Sequence, residues 1–202
     1  MSRKKGNDIK MAAHLIFLAF ILESAGFLIS YSFALLADAL FVFTDFLFFA
    51  LLSYALKRGR KSRSLVSLSL VLMLAVFGLG LLVMYSSVYR FVFGGYVRGP
   101  EMLTFAFAGL GINMYVTRRA GKRFRLGLRD SFLYISRKTL PSSFVIGAGI
   151  WIAFTGEIFV DCLFGVIISV MVMLESVILF RDSAFLLLGV PRTRTCLFRN
   201  IT

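Results

Sequence analysis

Acids lie inside long apolar runs of this chain, and three of them stand in its first two runs. Glu23 stands in ILESAGFLIS (21–30), and Asp38 and Asp45 stand in SYSFALLADALFVFTD (30–45). A charge near the bilayer centre costs about 2.5–3.5 kcal/mol on insertion scales, so such a residue faces a partner, a cavity or an ion rather than lipid. On a helix, residues 38, 41 and 45 share one face, with the two aspartates roughly 10 Å apart along the axis. Carboxylates placed this way suit ion binding or proton transfer. No nucleophile–base set, phosphate loop or cysteine cluster accompanies them, so no enzyme and no cofactor are expected.

The composition explains why these acids stand out. Of 202 residues, 59% are hydrophobic, and the mean hydropathy is +0.87. Soluble domains are about 45–50% apolar. A fold of this size cannot hide the excess from water, so the chain is read as an all-α integral membrane protein. Runs long enough to span a bilayer predict six helices, near Met11–Ser30, Phe33–Leu56, Ser64–Val88, Glu101–Thr117, Ser131–Phe154 and Ile158–Phe180. They fill residues 1–202 as a single transmembrane domain with no repeat.

The formal charge is +13, and its distribution follows the predicted helices. All but four of the 23 Lys and Arg fall in the N-terminal tail, the second–third loop, the fourth–fifth loop or the C-terminal tail. The exceptions are Arg90 and Arg98, assigned to the opposite loop, and Arg137 and Lys138 within the fifth span. The positive-inside rule then makes both termini cytoplasmic. Charge that tracks topology in this way points to anionic lipid head groups, not to nucleic acid. The first apolar run is too long for a signal peptide, and no small-residue cleavage site follows it.

Smaller features read as structure. Cys162 and Cys196 are expected on opposite sides of the membrane, beyond disulfide reach. His14, the only histidine, stands at the basic end of the first helix and is not expected to be a ligand. The glycine pairs 78/80, 109/111 and 147/149 are expected to let helices approach closely. Pro141 should interrupt the hydrogen bonding of the fifth helix. Trp151, Tyr85, Tyr89 and Tyr96 suit an outer interfacial belt.

SFALLADALFVFTD (32–45) resembles the second-helix signature of the cation diffusion facilitator family, approximately S-L-A-L-L-A-D-A-x-H-x-x-x-D. ILESAGFLIS (21–30) is similar to the Glu- and Gly-containing end of that family's first helix. FAFAGLGINMYVTRR (105–119), with Asn113, looks like its fourth, and the segment 159–191 resembles its sixth. The resemblance implies a six-helix, usually dimeric exporter trading a divalent metal against protons. It also implies a tetrahedral site in which the second and fifth helices each supply two residues four apart.

Carried over residue by residue, that site is degenerate. The second-helix pair falls on Phe41 and Asp45, and aligning SSFVIGAG (142–149) puts the fifth-helix pair on Tyr134 and Lys138. A register one turn earlier would bring in Asp130 instead, at the membrane edge. Phe41 has no lone pair, a phenol is neutral at pH 7, and an ammonium repels a cation. No metal is expected there. The Lys138 ammonium would instead fill the cation's place against Asp45, with Asp38 and Glu23 as accessory intramembrane acids. The family's cytoplasmic domain is not expected after GVP (189–191), and the loops KRGRKSRS (57–64) and TRRAGKRFRLGLR (117–129) are basic and free of histidine.

These departures favour a non-transporting structural or regulatory subunit of a membrane complex, as a homodimer or with other membrane proteins. The alternative is an active cation/proton antiporter with an altered substrate. The topology is testable by itself. A cysteine placed at position 60 should react with membrane-impermeant maleimide only from the cytoplasmic side of sealed vesicles, whereas one within 94–96 should react from outside.

Overall fold

The structure is a computed structural model. It describes residues 3–58, 63–123 and 128–188, and within these the side chains of 11–47, 50, 67–116, 118 and 139–181. Six helices follow one another: α1 (Arg3–Ser30), α2 (Phe33–Arg58), α3 (Arg63–Phe93), α4 (Gly99–Arg123), α5 (Leu128–Thr155) and α6 (Phe159–Leu188). Met11–Ser30, Ser67–Phe93 and Phe159–Arg181 are long and apolar enough to cross a membrane, and Thr139–Thr155 is a shorter apolar stretch. The protein is a multi-pass membrane protein with an all-helical fold.

The expected boundaries hold at the α1–α2 junction and shift elsewhere. α3 runs on to Phe93, so Arg90 belongs to its last turn and not to a loop. α4 begins at Gly99 and reaches Arg123, longer than the expected span. α5 continues through Pro141 without a break in the helix. Neighbouring helices tolerate a proline at this depth by covering the freed backbone groups, and Pro141 is fully buried.

α2 is the axis of the bundle. It touches each of the other five helices, and α1, α4, α5, α6 and α3 follow in contact order around it. Its residues 37–42 are buried without interruption, so no stripe of this stretch is left for lipid. Phe41, Leu35, Val145, Ile168, Val172 and Met102 form the tightly packed centre. A second cluster joins Ala13, Ile16 and Ala19 of α1 to Val42 of α2 and Val116 of α4. The outward faces of α3 and α6 carry large exposed apolar side chains such as Leu74, Leu82, Leu174 and Val177. In a bilayer that is the surface lipid covers.

Of the three glycine pairs, one member each makes a close approach. A Cβ at Gly80 would meet Met173 at 3.0 Å, one at Gly149 would meet Leu103 at 2.8 Å, and one at Gly109 would land on the Glu23 carboxyl group. Gly78, Gly111 and Gly147 have nothing within 4 Å, so the expectation that both members pack is corrected. Residues two apart on a helix point roughly 200° apart, so only one of each pair can face a neighbour. A further tight seam lies at Gly26, where a Cβ would sit 2.6 Å from Phe105 of α4 and 2.7 Å from Leu35 of α2.

This contrast yields a stability test. Gly26→Ala should cost about 1–3 kcal/mol, the usual range for overpacking a tight core. Gly111→Ala should leave stability level or slightly higher, because alanine lowers the helix cost of glycine. Thermal unfolding in detergent, followed by intrinsic fluorescence, compares the two.

Candidate functional site

The end of the bundle with short connections is organised around Asp161, which sequence reasoning missed. The four leading N–H groups of any helix lack intrahelical acceptors. At α2, Ser32 supplies one cap, its hydroxyl oxygen accepting from the Leu35 N–H at 3.1 Å. Asp161, in the first turn of α6, accepts from the N–H groups of Phe33 (3.0 Å) and Ala34 (3.2 Å) and from the Ser32 hydroxyl. A carboxylate also complements the positive end of the α2 dipole.

Arg90 completes this arrangement from the last turn of α3. Its guanidinium lies 3.9 Å from the Asp161 carboxylate and 4.2 Å over the Phe33 ring. It also donates to the Tyr31 carbonyl. Tyr31 takes a left-handed backbone (φ 58°), a conformation that costs a non-glycine residue roughly 1 kcal/mol, and it turns that carbonyl toward Arg90. Gly165 lets α6 come close here, since a Cβ would meet the Ser87 hydroxyl at 2.6 Å and the Ala34 nitrogen at 3.4 Å. In the sequence, Asp161 reads only as an acid in the first turn of a helix.

The second polar centre is intramembrane and contains Glu23 and Asp38. Glu23 is 0% and Asp38 1% exposed. α1 and α2 bring them within electrostatic range of each other. Among the described residues the Glu23 carboxyl has no hydrogen-bond partner, and the Asp38 carboxyl forms no well-aligned hydrogen bond. Ser142 of α5, fully buried and with its own hydroxyl unpartnered, faces Asp38. Gly109 of α4 forms the floor beneath Glu23, and Asn113 lies one turn along the same helix, also buried.

The remaining predicted residues divide. Phe41 is 1% exposed and among the largest fully buried side chains, packed into the core. Asp45 is half-buried and within electrostatic range of Asp38. Asp130, Tyr134 and Lys138 lie on α5, but their side chains fall outside the described residues, as does Cys196. The structure therefore brings together Glu23, Asp38 and Asp45 with Ser142, a residue the sequence noted only as part of a small-residue run. Cys162 is buried with a free thiol, and His14 is exposed.

A six-helix bundle with its acids on the central helix directs attention to ion-handling membrane proteins, and comparison with known proteins agrees. Over nearly its whole length the chain is similar to cation efflux proteins. It is 28% identical to the metal cation efflux system protein CzcD of Cupriavidus metallidurans over 201 residues, 92% of this chain. It is 27% identical, over the same share, to the cation efflux system protein CzcD of an Alcaligenes species. The chain spans 64% of the length of each of these relatives. No family model matches it. The similarity is thus distant and extends across all six helices.

The Asp161 network predicts a specific loss. Asp161→Asn keeps the shape but turns an NH₂ group toward N–H donors, leaving at least one buried donor unsatisfied. That costs about 1–3 kcal/mol. Arg90→Gln, at a side chain that retains some exposure, should cost less. Denaturation midpoints of the purified variants rank the two.

Proposed function

We propose that this chain is a cation-efflux-like membrane protein that does not carry zinc between α2 and α5, and that it serves as a structural or regulatory subunit in the membrane. The observation that carries the reading is Phe41. The resemblance sets this side chain where a nitrogen or oxygen donor would stand, and the ring is instead buried in the apolar core. Zinc in proteins takes four donors in tetrahedral geometry. A phenyl ring removes one and occupies the space where a ligand would reach the ion.

The fifth-helix positions support the same reading by their chemistry. Tyr134 offers a neutral phenol and Lys138 a cation. In this proposal the Lys138 ammonium stands against Asp45 where the metal would be. Such a buried pair adds little net stability, yet removing one partner costs about 3–5 kcal/mol. Partners of the subunit are a second copy or another membrane protein, with anionic head groups at the basic loops.

A second reading, cation/proton antiport with a substrate other than zinc, is favoured by one specific observation. Glu23 and Asp38 are carboxyl groups enclosed within the bundle, and intramembrane acids of this kind mark ion and proton pathways.

Zinc measurements test the first reading, and proton movement driven by cations other than zinc in the same proteoliposomes would favour the second. Proteoliposomes holding the protein should show zinc flux no faster than empty liposomes, and calorimetry should find no micromolar intramembrane zinc site. Zinc uptake that disappears with Asp45→Asn would overturn the first reading. The triple change Phe41→His, Tyr134→His, Lys138→Asp should restore weak zinc binding, because it returns the missing donors to two helix faces.

A further inference from the structure

We propose that Asp161, Ser32 and Arg90 form a latch that holds the short-loop end of the bundle shut, by tying the α3–α6 pair to the start of α2. The latch concerns how the bundle opens, and it stands whichever functional reading holds. The helices fall into two sets. Among the described residues α3 packs along α6 and otherwise touches only α2, while α1 and α4 touch neither α3 nor α6. The α3–α6 pair therefore meets the other four helices across α2 and α5.

The seam between the two sets changes character along its length. Toward the middle, Ile168 and Val172 of α6 cluster with Leu40 and Phe41 of α2. The Phe164 ring stacks there on Phe144 of α5, with centroids 5.0 Å apart. Such apolar contacts carry no directional demand. At the short-loop end the ties are directional. Asp161 accepts from the Phe33 and Ala34 N–H groups at 3.0 and 3.2 Å and from the Ser32 hydroxyl. Arg90 lies 3.9 Å from the same carboxylate and also reaches the Tyr31 carbonyl. Parting α6 from α2 strips the carboxylate of three donors and leaves two leading N–H groups of α2 without an acceptor. Those losses fall together, so the contact opens as a unit.

Burial shows that this end is closed. Ser30, Ser32, Ser87, Asp161 and Cys162 are each at most 1% exposed, although all stand within two turns of a helix end. Arg90 is the member that keeps some contact with the surroundings, its side chain being 15% exposed. Gly165 seats α6 against the Ser87 hydroxyl, where a Cβ would sit at 2.6 Å. Access to the start of α2 from this side therefore requires α6 to move away. A protein that passes ions must open this end in each cycle, whereas a structural subunit can keep it latched.

Cys162 reports the latch, because its buried free thiol is the chain neighbour of Asp161. The full chain carrying Cys196→Ser is placed in sealed proteoliposomes, and membrane-impermeant maleimide is added on the side of residues 94–96. Cys162 should react far more slowly than a cysteine replacing the exposed Tyr96. Ser32→Ala and Arg90→Gln should both speed the reaction. Ser32→Ala should do so by roughly tenfold or more, since a buried hydrogen bond to a charged group contributes about that factor. Acceleration in Arg90→Gln is informative, because loss of a nearby cation by itself slows a thiol. A cysteine replacing Val172, buried in mid-bundle, should keep its own slow rate when Ser32→Ala is added. Should the variants fail to fold, hydrogen exchange in the wild type decides: the Phe33 and Ala34 amides should be as protected as those inside α2. Four results would overturn the proposal. They are a wild-type Cys162 as reactive as position 96, folded variants that react no faster, equal acceleration at position 172, and Phe33 and Ala34 amides that exchange as fast as those of 94–96.

Discussion

Hydrocarbon does not solvate carboxylates, and the second helix carries two. That constraint organises the bundle. A helix with Asp38 and Asp45 on one face cannot lie against lipid, so α2 is surrounded by the other five helices, and residues 37–42 are buried on every side. The outer helices inherit the opposite task. α3 and α6 present leucine and valine to the bilayer and turn Met73, Val76, Val83, Ile168 and Val172 inward, together with buried polar residues such as Ser87 and Ser169. The distribution is inverted relative to a soluble bundle only on the outside; inside, packing follows the same close-contact rules.

A central helix must also have its ends satisfied, and at the short-loop end this is done in trans. Asp161 of α6 accepts from the first turn of α2 and is balanced by Arg90 of α3, which in turn holds the Tyr31 carbonyl. One carboxylate thereby ties α6, α2 and α3 together and fixes the connection between α1 and α2. The arrangement works because every participating charge or dipole has a partner: two backbone N–H groups, a hydroxyl and a guanidinium converge on a single acid. The contrast with Glu23 and Asp38 is instructive. Those acids are just as enclosed, yet among the described residues only the Ser142 hydroxyl faces either of them, and no well-aligned hydrogen bond is formed. The two buried acidic centres of this small bundle therefore differ: Asp161 is a joint between three helices, and Glu23 and Asp38 are enclosed without such a set of donors.

Similarity to cation efflux proteins sets these features in a frame without deciding the activity. A shared bundle does not confer a shared reaction; the site does. What the structure shows is that Phe41 is buried in the apolar core and that Glu23 and Asp38 are enclosed by the helices; that the ring stands in place of a metal donor belongs to the proposed reading.

Much of this was legible in the amino-acid order. Six apolar runs, separated by basic or glycine-rich segments, predicted six helices, and the α1–α2 junction fell where expected because Ser30, Tyr31 and Ser32 interrupt the hydrophobic run. The 3.6-residue period placed Asp38, Phe41 and Asp45 on one face, and the energetics of charge in lipid required that face to be enclosed. Hydropathy and period are local properties, and they stop where the long-range contacts begin. The hydroxyl of Ser32 and the carboxylate of Asp161 are 129 residues apart in the chain, so no window of sequence could join them. Arg90 was misread as a loop residue because its partner was invisible. Which glycine of each pair would pack was likewise undecided, since helix rotation is set by neighbours. Ser142 facing Asp38, and Gly109 beneath Glu23, exist only once four helices have met. The sequence by itself determined which segments enter the membrane and which residues could not face it; the tertiary structure decided what those residues face instead, because a partner's identity is a property of packing.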